Sequence, residues 1–489
     1  MAEVNETLLD EQLGELEKLR SWSPRVISKL ENFIRTADDW SLFRVNPYYF
    51  AEERGVSEDE AVDLFLLAGK VGLFQMTWNL LCPGCGAAVQ SFATLRSLCA
   101  AFHCGLCNVD LETQLDDYVQ VGFTISPKIR AIAAHDIASL SVEDLHLRYT
   151  YVREARVAPG GPRFTEFIPQ ATFGLTYLAP HETRSFEINV EPGILAVHDL
   201  LNNSLLDLIV DPKQPTPNAP MKLRLQDGAQ PTAASNIAPG ALHIELTNDS
   251  DKRASAHLFF KPQAVIDQMM AMMAAGKPFG MHFDRFLTGR KLLTSQTFRQ
   301  VFGTEIIRSS EGLGVRDITI LFTDLKGSTE MYDRIGDLKA FALVNQHFDR
   351  LARAIIRHHG AVVKTIGDAV MASFETPSNA VFAARDMLRE IEAFNREVGE
   401  REIVLKVGVH RGASIAVTLN DRLDFFGQTV NIAARVQGLA DADEIYLTDD
   451  VYRAAGVKDL LREMQVTPRE VQLRGVQKPV AVYRASHAG

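Results

Sequence analysis

The chain has 489 residues, with 51 Lys or Arg against 62 Asp or Glu, which gives a formal net charge of −11. This length exceeds what a single hydrophobic core supports, so two to four domains are expected. The first 110 residues hold nine basic and sixteen acidic side chains. Such an acidic balance disfavours a nucleic-acid-binding surface in this part of the chain.

The sequence also indicates a compartment. The first twenty residues, MAEVNETLLDEQLGELEKLR, are acidic and lack a basic segment followed by an apolar one, so no secretory signal is visible. The longest apolar runs, around residues 61–74 and 403–409, are broken by charge or are too short to cross a bilayer. The sequence therefore predicts a soluble, cytoplasmic protein without a membrane partner.

Residues 1–80 are predicted to form a helical, winged-helix-like domain that ends in a strand. Within it, the segment from Asn46 to Ser57 predicts a helix, a turn at Gly55, a Ser cap and a second helix. This is helix-turn-helix spacing, which an ordinary helical hairpin or a DNA-binding element would both show. The acidic surroundings favour the ordinary hairpin.

Four of the five cysteines form two C-x2-C pairs, which define a zinc-ribbon-like segment over residues 81–118. Two such knuckles, eighteen residues apart, fit a tetrahedral four-thiolate Zn²⁺ site. Because four thiolates close the coordination shell, one structural zinc ion is expected. Cys99 stands apart and is expected to be a small core residue. The predicted zinc ligands are Cys82, Cys85, Cys104 and Cys107.

The middle of the chain shows no candidate chemistry. Residues 119–262 contain short alternating segments between Pro, Gly and Asn clusters, which predicts a β-sandwich-like regulatory region. Residues 263–312 are predicted to be a helical connector, with a Met-rich piece at 269–273 and an amphipathic piece near 292–302. Such apolar stripes are expected to pack in a core or against a second subunit.

Candidate chemistry concentrates in a C-terminal domain predicted over residues 313–489. The stretch DITILFTDLKGST, residues 317–329, predicts a strand that ends at Asp324 and leads through a turn into a helix. A carboxylate at a strand end faces ligand space rather than core. The long helix that follows is expected to run into its last turn at His359, with Gly360 as its C-cap.

A second carboxylate lies in KTIGDAVMA, residues 364–372, which predicts two strands joined by a tight turn at Gly367. An Asp beside a Gly in a hairpin most often serves the turn itself. If the second strand lies beside the strand that ends at Asp324, however, Asp324 and Asp368 would share divalent cations. Such cations bridge substrate phosphates in phosphoryl and nucleotidyl transfer.

Three motifs in series resemble the class III nucleotidyl cyclase catalytic domain: FTDLKGST, KTIGDAVMA and DFFGQTVNIAAR, the last at residues 424–435. The resemblance covers roughly residues 315–485 and is specific because the three motifs occur in order. It implies a ferredoxin-like βαββαβ fold whose active sites form between two head-to-tail catalytic domains. The whole chain is accordingly predicted to be a multidomain α+β protein.

The resemblance implies roles for individual residues. Asp324 and Asp368 match two metal-binding aspartates, and Leu325 matches a residue whose backbone carbonyl also reaches a metal, so two Mg²⁺ or Mn²⁺ ions per active site are expected. Lys364 and Asp424 match the pair that reads the purine edge, in the adenine-selecting combination. Hydrogen-bonding chemistry supports this assignment, because adenine offers an amine donor to a carboxylate and ring-nitrogen acceptors to an ammonium group.

The remaining implied roles concern the triphosphate. Asn431 and Arg435 match residues that orient the ribose and stabilise phosphate charge in the transition state. Their i, i+4 spacing places both side chains on one face of a predicted helix. In the segment Leu473-Arg474-Gly475 the family usually has Lys in place of Arg474. Arg keeps the charge and binds phosphate bidentately, so retained function is expected.

The predicted function is an adenylate cyclase in signal transduction. It would convert ATP to 3′,5′-cyclic AMP and pyrophosphate at the interface of a homodimer formed through the catalytic domain, with the N-terminal two-thirds as a regulatory region. Lys364 and Asp368 of one chain would then serve different active sites. Two alternatives stay open: a guanylate cyclase, and a nucleotide-sensing or DNA-binding regulator with a non-catalytic cyclase-like domain.

Overall fold

The computed structural model describes residues 3–107, 109–202, 204–215, 219–226, 235–274, 280–303, 312–399, 403–419 and 422–487. Parts of the predicted connector, at 275–279 and 304–311, lie outside the described residues. In the part of the chain that is described, no helix is both long and apolar enough to span a lipid bilayer.

The N-terminal region begins with four helices and continues into short strands. Their bounds are α1 (Glu6–Lys18), α2 (Val26–Thr36), α3 (Pro47–Arg54), α4 (Glu58–Lys70), β1 (Phe74–Leu81), β2 (Ala88–Phe92), β3 (Ala101–Cys104), β4 (Val109–Glu112) and β5 (Val119–Ile125). Helices α3 and α4 have the predicted connection. Gly55 ends α3 at φ 58°, and the Ser57 hydroxyl accepts a hydrogen bond from the Glu60 N–H at 3.4 Å.

The N-terminal end of α4 is acidic and is used for contacts within the chain. Glu58 pairs with Arg285, and Asp59 pairs with Lys291 at 3.3 Å and with His359 at 2.9 Å. Three acids in the first turn of α4 oppose its entry into a DNA groove, because the phosphate backbone attracts cations.

Strand β5 completes an N-terminal sheet with the order β2-β1-β5, in which Trp78 lies opposite Val121. The boundary predicted between residues 118 and 119 is therefore wrong, because Val119–Ile125 pairs with β1 and not with the sandwich. All seven residues of β5 are buried. One face of β5 packs against the N-terminal helices in one apolar core, and the other face lies against Arg44, whose Cα would be 3.2 Å from a Cβ added at Gly122.

The β-sandwich starts near Thr172. Short elements precede it, namely β6 (Ala155–Arg156) and α5 (Phe164–Phe167). Its strands are β7 (Thr172–Leu178), β8 (Thr183–Val190), β9 (Gly193–Asp199), β10 (Ser204–Val210), β11 (Met221–Leu225), β12 (Ser235–Ile237), β13 (Gly240–Asn248) and β14 (Ala254–Pro262). They form a five-stranded sheet, β12-β10-β9-β14-β7, and a three-stranded sheet, β11-β13-β8, over one apolar core.

The connector is only partly helical and returns to the N-terminal region. Its elements are α6 (Gln263–Ala274), β15 (His282–Phe283), α7 (Gly289–Leu293) and α8 (Gln296–Val301). Strand β15 pairs with β6, and the Val121 N–H donates to the Leu287 carbonyl at 2.7 Å. The apolar side chains of Leu287, Leu292 and Phe298 are fully buried there.

The C-terminal domain is built on one large sheet. Its elements are β16 (Leu313–Leu325), α9 (Ser328–Ile335), α10 (Asp337–Arg357), β17 (Gly360–Ile366), β18 (Ala369–Phe374), α11 (Pro377–Val398), β19 (Leu405–Leu419), β20 (Arg422–Phe426), α12 (Gln428–Gln437), β21 (Glu444–Thr448), α13 (Asp449–Tyr452), α14 (Val457–Leu460), β22 (Met464–Val471) and β23 (Val480–His487). Strands β17-β18-β16-β19 are mutually antiparallel neighbours, as a βαββαβ core requires. Strands β21, β23 and β22 extend this sheet, and β20 pairs with β19.

The end of α10 differs from the prediction. The helix ends at Arg357, and His359 takes the left-handed conformation at φ 59° that was expected at Gly360. Gly360 instead begins β17, where an added Cβ would lie 2.3 Å from the Phe374 ring. Glycine is therefore required at this position by close packing and not by helix termination.

The two faces of β16 enter different cores. Leu321 and Leu325 pack against the domain's own helices. Ile318, Ile320 and Phe322 belong instead to a core shared with the N-terminal helices, the N-terminal sheet and helices α7 and α8. The N-terminal region, together with helix α12, therefore covers one face of the C-terminal sheet.

Charged groups surround this shared core. Arg290 on α7 lies 3.4 Å from Asp116, 3.6 Å from Asp317 and 3.5 Å from Glu375. The Arg316 backbone N–H donates to the Asp116 carboxylate at 2.7 Å. Because these pairs join residues from both regions, they fix the register of one region on the other.

A shared core predicts cooperative unfolding of the two regions. Phe298→Ala removes a fully buried ring that packs edge-on against Trp78, and we expect it to lower the free energy of unfolding by about 3–5 kcal/mol. Phe382→Ala, at a 43% exposed ring, is the matched control and should cost at most about 1.5 kcal/mol. Urea titrations followed by fluorescence and by circular dichroism measure both. Separate transitions for the two regions, or equal losses in the two variants, would contradict the shared core.

Candidate functional site

Two carboxylates lie at one end of the β16–β18 pair. Asp324 is the penultimate residue of β16, and Asp368 directly precedes β18 after the turn at Gly367, whose φ is 63°. The register, with Phe322 opposite Met371, brings both aspartates to the same end of the two neighbouring strands. Leu325 ends β16 beside them. The sequence prediction that these strands are neighbours is confirmed.

The two aspartate side chains differ in their partners. Asp324 Oδ2 lies 3.6 Å from the Lys406 ammonium on β19. Asp368 Oδ2 is buried and has no hydrogen-bond partner among the described residues. An unpaired buried carboxylate oxygen is costly, and oxygen donors of this kind are the ligands that Mg²⁺ and Mn²⁺ prefer. The two aspartates therefore fit a site for divalent cations.

A buried histidine accompanies Asp368. His347 on α10 is fully buried; its Nδ1 lies 3.2 Å from the Val344 carbonyl, and its Nε2 has no partner within the described part of the chain. Burial lowers the pKa of His347 to about 4, and the nearby Asp368 charge opposes that shift. His347 is therefore neutral at neutral pH. No sequence signal marks His347 as functional, because a histidine on the apolar face of a helix is usually a core residue.

A cleft of about 480 Å³ opens beside Asp368. Its lining includes Ser328 and Thr329 from the first turn of α9, and Asp333 and Asn345 from α9 and α10. Gly327, at φ 70°, directs the chain from β16 into α9. The N–H groups of this first turn point toward the start of the helix, where they favour an anion.

Lys364 and Asp424 form an ion pair. Lys364 on β17 donates through its ammonium to Asp424 Oδ2, although the two residues are sixty positions apart. The Asp424 side chain is 7% exposed and that of Lys364 is 37% exposed. The structure thus brings together the two residues predicted to read a purine edge.

Helix α12 carries the next predicted pair. Asn431 is exposed and Arg435 is half-buried, one turn apart. A Cβ added at Gly475 would lie 3.5 Å from the Arg435 guanidinium, so this guanidinium lies beside the segment that contains Arg474. Arg474 itself is exposed.

The four paired cysteines converge in the N-terminal region. The first pair follows β1 and the second lies between β3 and β4, so that each occupies a hairpin turn. Cys82 Sγ is 3.8 Å from Cys107 Sγ, Cys85 Sγ is 3.8 Å from Cys104 Sγ, and all four sulfurs lie within 4.8 Å of one another. A tetrahedron with Zn–S bonds of about 2.3 Å has edges of about 3.8 Å. The donor set and its size therefore fit zinc.

Comparisons with known proteins give the class of the C-terminal domain. Residues 314–484 match the family model described as the adenylate and guanylate cyclase catalytic domain. With the βαββαβ core and the convergence of the three motifs, this part of the chain is a class III nucleotidyl cyclase catalytic domain. Residues 9–300 match a family of unknown function, DUF5939. Because this match covers more than half of the chain, the protein belongs to that family.

Curated relatives share the cyclase part. An adenylate cyclase of Anabaena cylindrica is 27% identical over 218 residues, which cover 41% of this chain and 42% of that protein. The receptor-type adenylate cyclase GRESAG 4.1 of Trypanosoma brucei brucei is 27% identical over 208 residues, or 34% of this chain and 16% of that protein. The chain thus spans less than half the length of these relatives.

Solved structures of cyclases are similar to the same part. The adenylyl cyclase CyaB from P. aeruginosa is 19% identical in sequence. The match covers 37% of this chain and 97% of the CyaB chain, with a TM-score of 0.32. The guanylyl cyclase Cya2 shares 22% identity and covers 36% and 95%, with a TM-score of 0.33. The zinc-ribbon-like assignment stays a prediction, because the match that includes it is to a family without a known function.

Proposed function

We propose that the chain is an adenylate cyclase that converts ATP to 3′,5′-cyclic AMP and pyrophosphate. The ion pair between Lys364 and Asp424 carries the choice of base. The Asp424 carboxylate would accept from the exocyclic amine of adenine, and the Lys364 ammonium would donate to a ring nitrogen. Guanine presents a carbonyl oxygen where adenine has the amine, so a carboxylate there disfavours GTP.

The reaction forms a bond from the ribose 3′-oxygen to the α-phosphorus and breaks the bond from that phosphorus to the bridging oxygen. The hydroxyl proton goes to solvent, and pyrophosphate leaves. Arg435 would hold the developing charge on the phosphates, and Asn431 on the same helix face would orient the ribose. Arg474, in the segment that lies beside the Arg435 guanidinium, would hold the triphosphate by bidentate hydrogen bonds.

Asp324, Asp368 and the Leu325 carbonyl would hold two Mg²⁺ or Mn²⁺ ions. When bound, such ions lower the pKa of the 3′-hydroxyl and neutralise the leaving pyrophosphate. The buried, unpaired Asp368 Oδ2 supports this role. Lys406 supplies the countercharge for Asp324 when no cation is bound. The first turn of α9 would add backbone N–H donors for the phosphates.

Exposed apolar side chains support a homodimer with shared active sites. Leu338 and Phe341 near the start of α10 are 87% and 60% exposed, and Phe341 lines the cleft beside Asp368. Phe426, two residues after Asp424, is 63% exposed. One patch therefore flanks the metal end, and the other flanks the base-reading end. A two-fold dimer that joins the patches would bury both and would complete two equivalent sites.

The four cysteines are proposed to hold one structural Zn²⁺. Their sulfur spacing fits a closed four-thiolate shell, which leaves no position for a substrate. An added Cβ at Gly84 would lie 3.3 Å from Cys107 Sγ, so a larger residue would crowd the cluster. The Met281 N–H donates to the Pro83 carbonyl at 2.6 Å, which links this knuckle to the connector.

Removal of either metal aspartate tests the catalytic proposal. We expect Asp324→Ala and Asp368→Ala each to lower the rate of cyclic AMP formation on the order of a hundredfold or more, because a charge-stabilising group is lost from the transition state. Asp459→Ala, at an exposed Asp paired with Arg462, should leave the rate unchanged. Product is measured with ATP and separately with GTP, each with Mg²⁺ or Mn²⁺. Faster turnover of GTP would make the chain a guanylate cyclase, and no product from either nucleotide would contradict cyclase activity.

Substitution of a single cysteine tests the zinc proposal. Cys104→Ser should abolish zinc binding and lower the melting temperature by at least about 5 °C, because metal binding contributes directly to folding. Cys99→Ser is the matched control, since the Cys99 thiol lies outside the cluster and its Sγ is 3.9 Å from the Ser97 carbonyl. Metal analysis and thermal unfolding measure both effects. Full zinc content in Cys104→Ser, or no zinc in the unmodified protein, would refute the site.

A further inference from the structure

One helix from outside the catalytic domain contacts both strands that carry the base-reading pair. Gln296 Oε1 on α8 accepts a hydrogen bond from the Val362 N–H at 2.9 Å. Three residues further on, Arg299 Nη1 donates to the Leu423 carbonyl at 2.8 Å. Val362 lies two positions before Lys364 on β17, and Leu423 directly precedes Asp424 on β20. Helix α8 therefore bridges the two strands close to the pair.

These strands need such a bridge, because both lie at edges of the sheet. Among the described strands, β17 is the first in the strand order and has β18 as its one neighbour, whereas β20 pairs with β19 alone. Among the described residues, no backbone hydrogen bonds join β17 to β20, so the sheet ladder alone does not fix the distance between Lys364 and Asp424. Helix α8 supplies the missing connection through one donor and one acceptor.

Arg299 makes two further contacts next to this bridge. Its Nε donates to the Leu293 carbonyl at 3.0 Å, and its guanidinium lies 5.5 Å from the centroid of the Phe425 ring. The neighbouring Phe298 is fully buried against Trp78 in the shared core. Burial lowers the pKa of Arg299 to about 10, and the Asp424 carboxylate opposes this shift. Arg299 is thus a half-buried cation whose charge acts on the Asp424 carboxylate.

We propose that Gln296 and Arg299 are positioning residues that set the separation of Lys364 and Asp424 and thereby the selectivity for ATP over GTP. The inference rests on the proposed base-reading role of that pair. Both positions fall in the segment matched to the family of unknown function, at 9–300, whereas the pair falls in the cyclase segment, at 314–484. The N-terminal region therefore contributes to substrate choice and not only to regulation.

The test uses the full chain and compares kcat/KM for ATP and for GTP. Arg299→Ala should lower the ATP-to-GTP ratio roughly three- to tenfold, the equivalent of one hydrogen bond, mainly through KM for ATP. Arg299→Lys, which keeps the charge and one donor, should restore part of the ratio. Gln296→Ala removes a single half-buried acceptor, so it keeps the test available if Arg299→Ala does not fold.

Arg316→Ala is the matched control, because Arg316 also joins the two regions, through Asp117 at 3.0 Å, but does not contact β17 or β20. This variant should keep the ratio within about twofold. If the Arg299 and Gln296 variants lose activity equally toward both nucleotides, so that the ratio is unchanged, the two residues are merely structural and the inference is wrong.

Nucleotide binding separates this inference from the proposed function. Affinities for fluorescent N-methylanthraniloyl derivatives of ATP and GTP are measured for the unmodified chain and for both variants. If the unmodified chain forms no cyclic nucleotide but binds ATP selectively, and the variants lose that selectivity, the cyclase proposal fails and the positioning role stands. If binding selectivity is the same in all chains, the positioning role fails whatever the activity.

Discussion

The structure depends on the burial of one face of β16. Ile318, Ile320 and Phe322 on that face are apolar, and the domain's own helices cover the opposite face. Exposure of such a face to water would cost roughly 1.5–3 kcal/mol for each large side chain. The N-terminal region and helix α12 supply the cover, and the N-terminal helices, the N-terminal sheet and the returning connector form one core with the C-terminal domain. We therefore expect the two regions to unfold as one unit.

This packing explains the arrangement of the site. The Lys364–Asp424 pair lies where α8 reaches the edge strands, and the aspartates lie at the C-terminal end of β16, next to an open cleft. Groups that read a base gain from rigidity, because misplacement by about 1 Å weakens discrimination. Groups that hold cations and phosphates need access from solvent. The shared core stabilises the first set and leaves the second set accessible.

Local sequence patterns predicted the parts of the site that depend on short-range rules. The turn at Gly367, the strand end at Asp324 and the helix spacing of Asn431 and Arg435 all follow from backbone preferences, and the structure has them. Cysteine spacing likewise predicted a cluster, because two knuckles present four sulfurs to one point. The local geometry of each motif could therefore be predicted without a structure.

Long-range packing was not predictable in the same way. The sequence of β5 alternates between apolar and other residues, a pattern that is compatible with the sandwich and with the N-terminal sheet. The observed pairing with β1 places this strand in the N-terminal sheet. Gly360 was expected to end a helix, whereas the Phe374 ring excludes a side chain there. Arg299 gave no signal, since a single Arg in an amphipathic segment usually lies on a solvated face. Its role depends on strands more than sixty residues away.

In the proposed homodimer, each active site is built from two chains, with Asp368 from one and Arg435 from the other. The most direct test is a heterodimer of an Asp368→Ala chain and an Arg435→Ala chain, purified through two different affinity tags. Each variant alone should be inactive, and the heterodimer should regain about half of the unmodified activity, because one of its two sites is intact. A folded heterodimer that is as inactive as its parents, beside an active unmodified dimer, would contradict the shared site.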